Sequence, residues 1–318
     1  MAEVTVIIPN FNGLRYLPCM LESMHRQSFT DMDIILVDNG STDGSTAYVQ
    51  EYWPDVRVIS LPDNTGFSHA VNVGIRAASA PFVLLLNNDT EADPHFVEAL
   101  LLCMKAHAHA FSAGARMLCF DRRDRLDGAG DLYCALGWAF ARGKGKAADR
   151  YLKEEQIFSA CGGAAIYRRE LFGEIGFFDD EHFAYLEDLD IGYRARIYGY
   201  ENWYAPDALV YHVGSGTSGS RYNQFKTRYS SRNNVYMIYK NMPLFQILLN
   251  LVFLIPGFAI KLFFFARKGL GREYLAGIKN GFQISRKGRK VPFRAAHLGN
   301  YCRIQIELWR NMFVRLGG

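Results

Sequence analysis

The chain has 318 residues, of which 49% are hydrophobic, 21% charged and 14% aromatic, which excludes a disordered chain and allows one large α/β domain plus an appendage. The net charge of +4 is unevenly divided: residues 240–318 carry 14 Lys/Arg and two acids (net +12), whereas residues 1–239 carry 22 basic and 30 acidic residues (net −8). A basic appendage of this kind requires an anionic partner, either nucleic acid or a membrane surface.

In chain order, Val4-Thr5-Val6-Ile7-Ile8-Pro9 predicts a buried strand, Asn10-Phe11-Asn12-Gly13 a turn, and residues 14–27 a helix. Ile34-Ile35-Leu36-Val37-Asp38 predicts a second buried strand that ends in a carboxylate. The dense turn over residues 39–44 caps a helix through Tyr52. A strand over 56–60, a helix near 68–78 and a strand over 84–86 follow. Four alternations of strand and helix predict a mostly parallel sheet with right-handed crossovers. No GxGxxG string follows the first strand and no Walker motif occurs, so phosphates are expected to be neutralised through a metal.

The run Phe82-Val83-Leu84-Leu85-Leu86 stops abruptly at Asn87-Asn88-Asp89, the pattern of a buried strand delivering polar groups to a crevice. Asp93, followed by Pro94 and the apolar Phe96, Ala99 and Leu100, is the expected N-cap of the next helix. Asp89 is then left at a strand tip, where a metal-ligand role is expected. Tyr133 and Trp138 read as core aromatics. Gly162-Gly163, within an apolar stretch, marks either a bulged strand or a close approach of backbone to a ligand. Glu187-Asp188-Leu189-Asp190 opens a helix whose apolar side is Ile191, Ala195 and Ile197. Acids suit a helix start, but three in four residues repel one another beyond what a cap needs. His212 is either a strand-end histidine or a ligand, and the Gly/Ser-rich residues 214–220 are either a linker or a lid. Arg221, Arg228 and Arg232 downstream are candidates to contact a diphosphate, with none of the three singled out by the sequence. Six scattered cysteines with no CxxC pair, and no signal peptide, give the expectation of reduced thiols in the cytosol.

Taken in order, Ile8-Pro9-Asn10-Phe11-Asn12-Gly13, Val37-Asp38-Asn39-Gly40-Ser41-Thr42-Asp43-Gly44, Asn64-Thr65-Gly66-Phe67, Leu85-Leu86-Asn87-Asn88-Asp89, Cys161-Gly162-Gly163, Leu186-Glu187-Asp188 and Tyr211-His212 resemble the family 2 glycosyltransferases, most of all bacterial rhamnosyltransferases of cell-surface polysaccharides. The resemblance implies a GT-A fold (Rossmann-like, with a mostly parallel mixed sheet) and inverting transfer from a nucleotide diphosphate sugar. It implies that Asp38 bonds the pyrimidine base, that Pro9, Asn10 and Asn12 line the base pocket, and that Asn72, Asn87 and Asn88 join the nucleotide-sugar site. The family's DxD motif is here Asn87-Asn88-Asp89, so Asp89 and His212, with diphosphate and water, are the implied ligands of Mg²⁺ or Mn²⁺. Asp188 is the implied base, with Glu187, Gly162 and Gly163 toward the acceptor and Asp190 in support. The implied donor is dTDP-L-rhamnose, followed by UDP-hexoses. The implied acceptor is a polyprenyl-diphosphate-linked glycan that receives a single sugar. Transfer onto a polyprenyl phosphate and an inactive nucleotide-sugar-binding scaffold are the rival readings, and the presence of both Asp188 and His212 weighs against the scaffold.

Residues 244–266 are mostly apolar and long enough to span a bilayer. Pro256-Gly257 divides them into pieces of 12 and nine residues, and Lys261 within a span costs roughly 2.5–3.5 kcal/mol. A span would also place Arg267, Lys268, Arg272, Arg286, Lys287, Arg289 and Lys290 outside, against the positive-inside rule. The expectation is a re-entrant or in-plane helical pair whose basic flanks meet anionic headgroups on the cytoplasmic face. Residues 296–316 read as a second interfacial helix or as a helix packed on protein. The expected division is therefore a catalytic domain over 1–222 and a helical membrane-associated region over 223–318, with no nucleic acid partner and homo-oligomerisation left open.

Overall fold

The computed structural model describes residues 2–214 and 222–317. Residues 215–220 of the expected lid, and Arg221, lie outside the described residues. The chain runs β1 (Val4–Asn10), α1 (Leu17–His25), β2 (Met32–Asn39), α2 (Ser45–Tyr52), β3 (Arg57–Leu61), α3 (Phe67–Ala77), β4 (Phe82–Leu86), β5 (Thr90–Ala92), α4 (Phe96–Ala106) and β6 (Ala110–Cys119). It continues with β7 (Leu126–Gly128), β8 (Asp131–Cys134), β9 (Trp138–Ala141), β10 (Glu155–Ile157), β11 (Ala164–Arg168), α5 (Phe172–Ile175), α6 (Glu187–Ile197) and β12 (Glu201–His212). Helices α7 (Gln224–Asn241), α8 (Leu244–Arg267), α9 (Gly271–Ser285) and α10 (Leu298–Gly317) follow.

The main sheet has the order β3-β2-β1-β4-β11-β6-β12-β10. Neighbours from β3 to β4 are parallel, as are β6 and β12, and β11 runs antiparallel between the two blocks. The strands alternate strictly between faces. Val6, Ile8, Leu36 and Leu84 pack with Leu21, Phe96 and Leu100 on one side, and Ile7, Val37 and Leu85 pack with Val71, Tyr167 and Ile191 on the other. All parallel strands therefore point their C-terminal tips to one rim, where β1, β2 and β4 deliver Asn10, Asp38 and Asn87.

Several boundaries differ from expectation. Helix α1 starts at Leu17, because the Leu14 N–H is taken by Asp43 and the intervening residues form a turn. Helix α4 starts at Phe96; Asp93 bonds the His95 N–H in a turn ahead of it and is not its N-cap. Pro256 does not divide the apolar segment, so the expected helical pair is a single continuous helix of 24 residues. Pro256 is exposed on α8, where the missing N–H leaves no buried group unpaired.

Helix α8 buries Gln246, Asn250, Leu254 and Gly257, a stripe along one face. Asn250 exchanges amide bonds with Gln305 of α10 at 2.8 and 2.9 Å. Trp138 Nε1 donates to the Gly257 carbonyl at 2.9 Å. Helix α10 packs on protein through Tyr301, Ile304 and Leu308, with Asn311 donating to the Tyr133 carbonyl, and does not stand clear as an interfacial helix. Met237, Leu254, Tyr301 and Leu308 share a third core with Tyr133, Phe158 and Tyr193. Tyr133 is thus a core aromatic, as expected.

Candidate active site

At the tips of β1, β2 and β4 the polar side chains bond one another. Asn10 Nδ2 donates to Asp38 at 3.0 Å and to Ser41 Oγ at 3.2 Å, while Asn88 Nδ2 donates to Asn10 Oδ1 at 2.7 Å. Asp38 also accepts the Ser41 N–H, and Asn12 Oδ1 accepts the Thr42 N–H at 2.8 Å. Gly13 is required here, because a Cβ would stand 2.0 Å from Asn88 and 2.4 Å from Asn10. Pro9 is half-buried in β1 opposite Val37. Asn72 stands apart: it is buried, its amide donates to the Phe178 carbonyl and Asp180, and its oxygen accepts the Phe178 N–H. With its donors committed, Asn72 fastens α3 to the 178–180 turn, and its grouping with the nucleotide ligands is corrected on that ground.

The second cluster is built by strand pairing. β5 lies antiparallel to β12 with Thr90 opposite His212, which places Asp89 beside the imidazole. His212 Nε2 is 3.3 Å from Asp89, and Nδ1 is 2.8 Å from Asp127 of β7. Asp127 also accepts Lys144 Nζ at 2.6 Å. Burial disfavours the imidazolium, but the bonds to Asp127 and Asp89 outweigh it and push His212 up to about 9. Asp127 is half-buried, and His212 and Lys144 hold its carboxyl well below the usual carboxylate range. A carboxylate that orients a histidine facing a second carboxylate is the donor arrangement divalent cations use. The set fits such an ion, which would replace the imidazolium proton.

The third group surrounds Asp188, in the first turn of α6. Its two carboxylate oxygens accept the N–H groups of Gly162 at 3.1 Å and Leu189 at 2.7 Å. Gly163 leaves space for Asn87, whose amide lies 2.9 Å from where a Cβ would be, and the Gly163 carbonyl accepts the Asn87 N–H at 2.9 Å. The Gly162-Gly163 turn thus ties Asp188 to the tip of β4. The carboxylates of Asp131 and Asp188 and the Cys161 thiol lie within 4.8 Å of one another. Burial raises the proton affinity of both Asp131 and Asp188, and the Asp188 charge raises Asp131 further. The two amide N–H bonds favour the ionised form of Asp188, and its charge favours the protonated form of Asp131. Glu187 is 8% exposed with Oε2 unpartnered. Asp190 is not in the cleft: it is fully buried, bonded to Lys240 at 2.9 Å, Asn241 at 2.8 Å and Arg194 at 3.0 Å. Arg232 donates to the carbonyls of Glu181 and His182, and Arg228 reaches toward Glu273.

The turn before Asp188 has left-handed backbone at Phe183, Tyr185 and Leu186, with φ of +59°, +73° and +67°. Such strain persists only where surroundings impose it. Here Asn233 of α7 donates to the carbonyls of His182, Ala184 and Tyr185 at 2.8, 2.9 and 2.7 Å. Sequence reasoning missed Asp127, Asp131, Lys144 and Asn233. The string Asp127-Gly128-Ala129-Gly130-Asp131, two acids joined by small residues, was the available signal for the first two.

A mostly parallel sheet whose polar strand tips lie beside a half-buried acid pair is the arrangement of the GT-A class. The model of glycosyl transferase family 2 matches residues 5–176, over half of the chain. The chain belongs to glycosyl transferase family 2. It is 28% identical over 242 residues, 67% of this chain and 77% of the relative, to the N-acetylglucosaminyl-diphospho-decaprenol L-rhamnosyltransferase of Mycobacterium tuberculosis. GalNAc-T7, solved with UDP, GalNAc and Mn²⁺, superimposes with a TM-score of 0.61 at 16% identity, over 75% of this chain and 48% of that one. The mannosyltransferase PcManGT of Pyrobaculum calidifontis, solved with GDP-Man and Mn²⁺, gives a TM-score of 0.58 at 16% identity, over 96% of this chain and 80% of that one. The expected GT-A fold and glycosyltransferase class are thereby met.

Proposed function

We propose that this chain transfers one L-rhamnose from dTDP-rhamnose to a polyprenyl-diphosphate-linked glycan, with inversion, at the cytoplasmic membrane surface. The observation that carries the reading is the Asp131–Asp188 pair, half-buried and tied by Gly162-Gly163 to the Asn87–Asp89 turn. The relative from Mycobacterium tuberculosis, named for an L-rhamnosyl transfer to a diphospho-decaprenol acceptor, supports the donor and acceptor chosen.

Ionised Asp188 takes the proton of the attacking acceptor hydroxyl as that oxygen bonds the anomeric carbon. The bond from that carbon to the nucleotide diphosphate breaks in the same step. Asp131 holds a proton beside it, which keeps a second charge out of the pair. Asp38, Asn10 and Asn12 receive the base and ribose side of the donor, and Asn87 and Asn88 the diphosphate side. Asp89 and His212 would hold Mg²⁺ or Mn²⁺, and the ion would supply charge neutralisation for the departing diphosphate. Residues 1–222 form the catalytic unit in this reading, and 223–318 seat it on the membrane.

The test is Asp188→Asn. Transfer falls by about 10²–10⁴-fold, while dTDP-rhamnose with Mn²⁺ still protects the variant against thermal unfolding. Undiminished turnover in the variant removes Asp188 from the mechanism. Protection by UDP-hexoses in place of dTDP-rhamnose redirects the donor assignment.

A further inference from the structure

A cavity of about 150 Å³ lies where the C-terminal helices meet the catalytic unit. Its lining includes Thr227 of α7, Lys261 and Phe265 of α8, Tyr274 of α9 and Leu186. Ser231 and Asn234 of the lining are bonded to protein, but two buried hydroxyls are not. Thr227 and Tyr274 are only 3% and 2% exposed, yet neither Thr227 Oγ1 nor Tyr274 Oη has a hydrogen bond. Among the described residues no carboxylate pairs with Lys261; the titratable groups acting on it are Cys134 and Arg315, and its ammonium is 5.9 Å from the Trp138 ring centroid. Buried hydroxyls without partners are unfavourable, and an enclosed cation without counter-charge is more so. One ligand carrying several anionic oxygens satisfies all three.

The surroundings of the cavity select among anions. On one side Leu186 directly precedes Glu187 and Asp188 and belongs to the left-handed turn that presents them. On the other, α8 exposes Leu248, Val252, Ile255 and Phe263, an apolar face suited to a lipid environment. An anion held here is therefore one turn of chain from the base and one helix from the hydrocarbon.

We propose that this cavity binds the phosphate groups of a lipid-linked diphosphate, with Lys261, Thr227 and Tyr274 as its donors. The lipid then lies along the apolar face of α8, and the sugar on the diphosphate faces Asp188. This rests on the acceptor reading above. The cavity fixes the acceptor through its anion and leaves the glycan's own hydroxyl free to react.

The experiment uses the full chain in neutral detergent, with EDTA present so that diphosphate is not captured by a divalent cation. Farnesyl diphosphate is titrated while tryptophan fluorescence is followed, Trp138 standing beside Lys261. Saturable binding is expected, weakened at least about tenfold by Lys261→Gln and by the isosteric Thr227→Val, and retained by Lys261→Arg. Inorganic pyrophosphate competes; farnesol and phosphatidylglycerol do not. Equal affinity in the parent and in Thr227→Val overturns the proposal, as does displacement by phosphatidylglycerol, which marks a general anionic-lipid site. Binding that follows the expected pattern without transfer from any nucleotide sugar supports the cavity and defeats the acceptor reading. Transfer to a diphosphate-linked acceptor with an unchanged KM in both neutralising variants leaves that reading standing and defeats the cavity.

Discussion

His182 makes the stability of this fold depend on pH through a group outside the cleft. Its side chain is fully buried against Tyr236, and neither ring nitrogen has a hydrogen-bond partner. Burial, with Lys240 and Arg194 nearby, outweighs the attraction of Asp190 and Asp179 and lowers the imidazole to about 4. An unfolded histidine titrates near 6.5, so the unfolded state binds the proton first, and stability is lost as pH falls from about 6.5 to 4. Between pH 7 and pH 5 the loss is about 2 kcal/mol. His212, raised to about 9, acts in the opposite sense and gains part of its stabilisation over the same interval. Its contribution cancels when the parent is compared with His182→Phe, which keeps a ring beside Tyr236 and cannot titrate. Urea unfolding at pH 7 and pH 5, at constant ionic strength, gives the comparison. The parent should lose about 2 kcal/mol more than the variant between the two pH values. Parallel losses in both proteins refute the assignment, whatever their absolute stabilities.

Three other perturbations follow from buried contacts. Lys240→Met removes a cation shared by Asp179 and Asp190, and should cost about 3–5 kcal/mol in urea unfolding; Asp190→Asn added to it should restore part of that loss. Asn233→Ala leaves the carbonyls of the strained turn without their donor, costing about 1–3 kcal/mol. Its turnover should fall while donor-induced thermal protection is kept. Gly257→Ala places a Cβ 2.1 Å from the Leu136 carbonyl oxygen, so α8 must lift from the catalytic unit at a cost of roughly 1–3 kcal/mol. Limited proteolysis near residue 243 should then accelerate.

The strands were legible because a parallel sheet buried on both faces writes continuous apolar runs, and each run here stops at its polar tip. Alternation of strand and helix then ordered β1 to β4, and the same logic located Asn10, Asp38 and Asn87–Asp89. Residues 120–157 were largely illegible, because their strands are short and two of them, β8 and β9, pair only with each other. Asp127 and Asp131 therefore had no element to place them, and their only signal was the spacing of two acids across small residues, although they become partners of His212 and Asp188. Asn72 was misassigned because a buried amide that joins α3 to a distant turn looks, in sequence, like a ligand-binding amide. Its Phe178 and Asp180 partners lie more than a hundred positions away, beyond any local pattern.

Helix α8 shows why composition alone misled about the C-terminal region. In a soluble amphipathic helix the apolar stripe faces the protein, but here the stripe facing the protein carries Gln246, Asn250, Gly257 and the cavity residue Lys261, and the outer face is apolar. That inversion suits a helix that uses polar and close-backbone contacts to grip its own domain and presents hydrocarbon outward. Length and hydropathy report a helix able to cross a membrane, yet they cannot register that its polar residues share one side. Docking along α10 and β9 by that side ties the apolar surface to the turn bearing Asp188. In the proposed membrane seating, side-chain amide bonds such as Asn250–Gln305 set the orientation of Asp188 relative to the lipid surface, and substitution of that pair should alter it without touching the cleft.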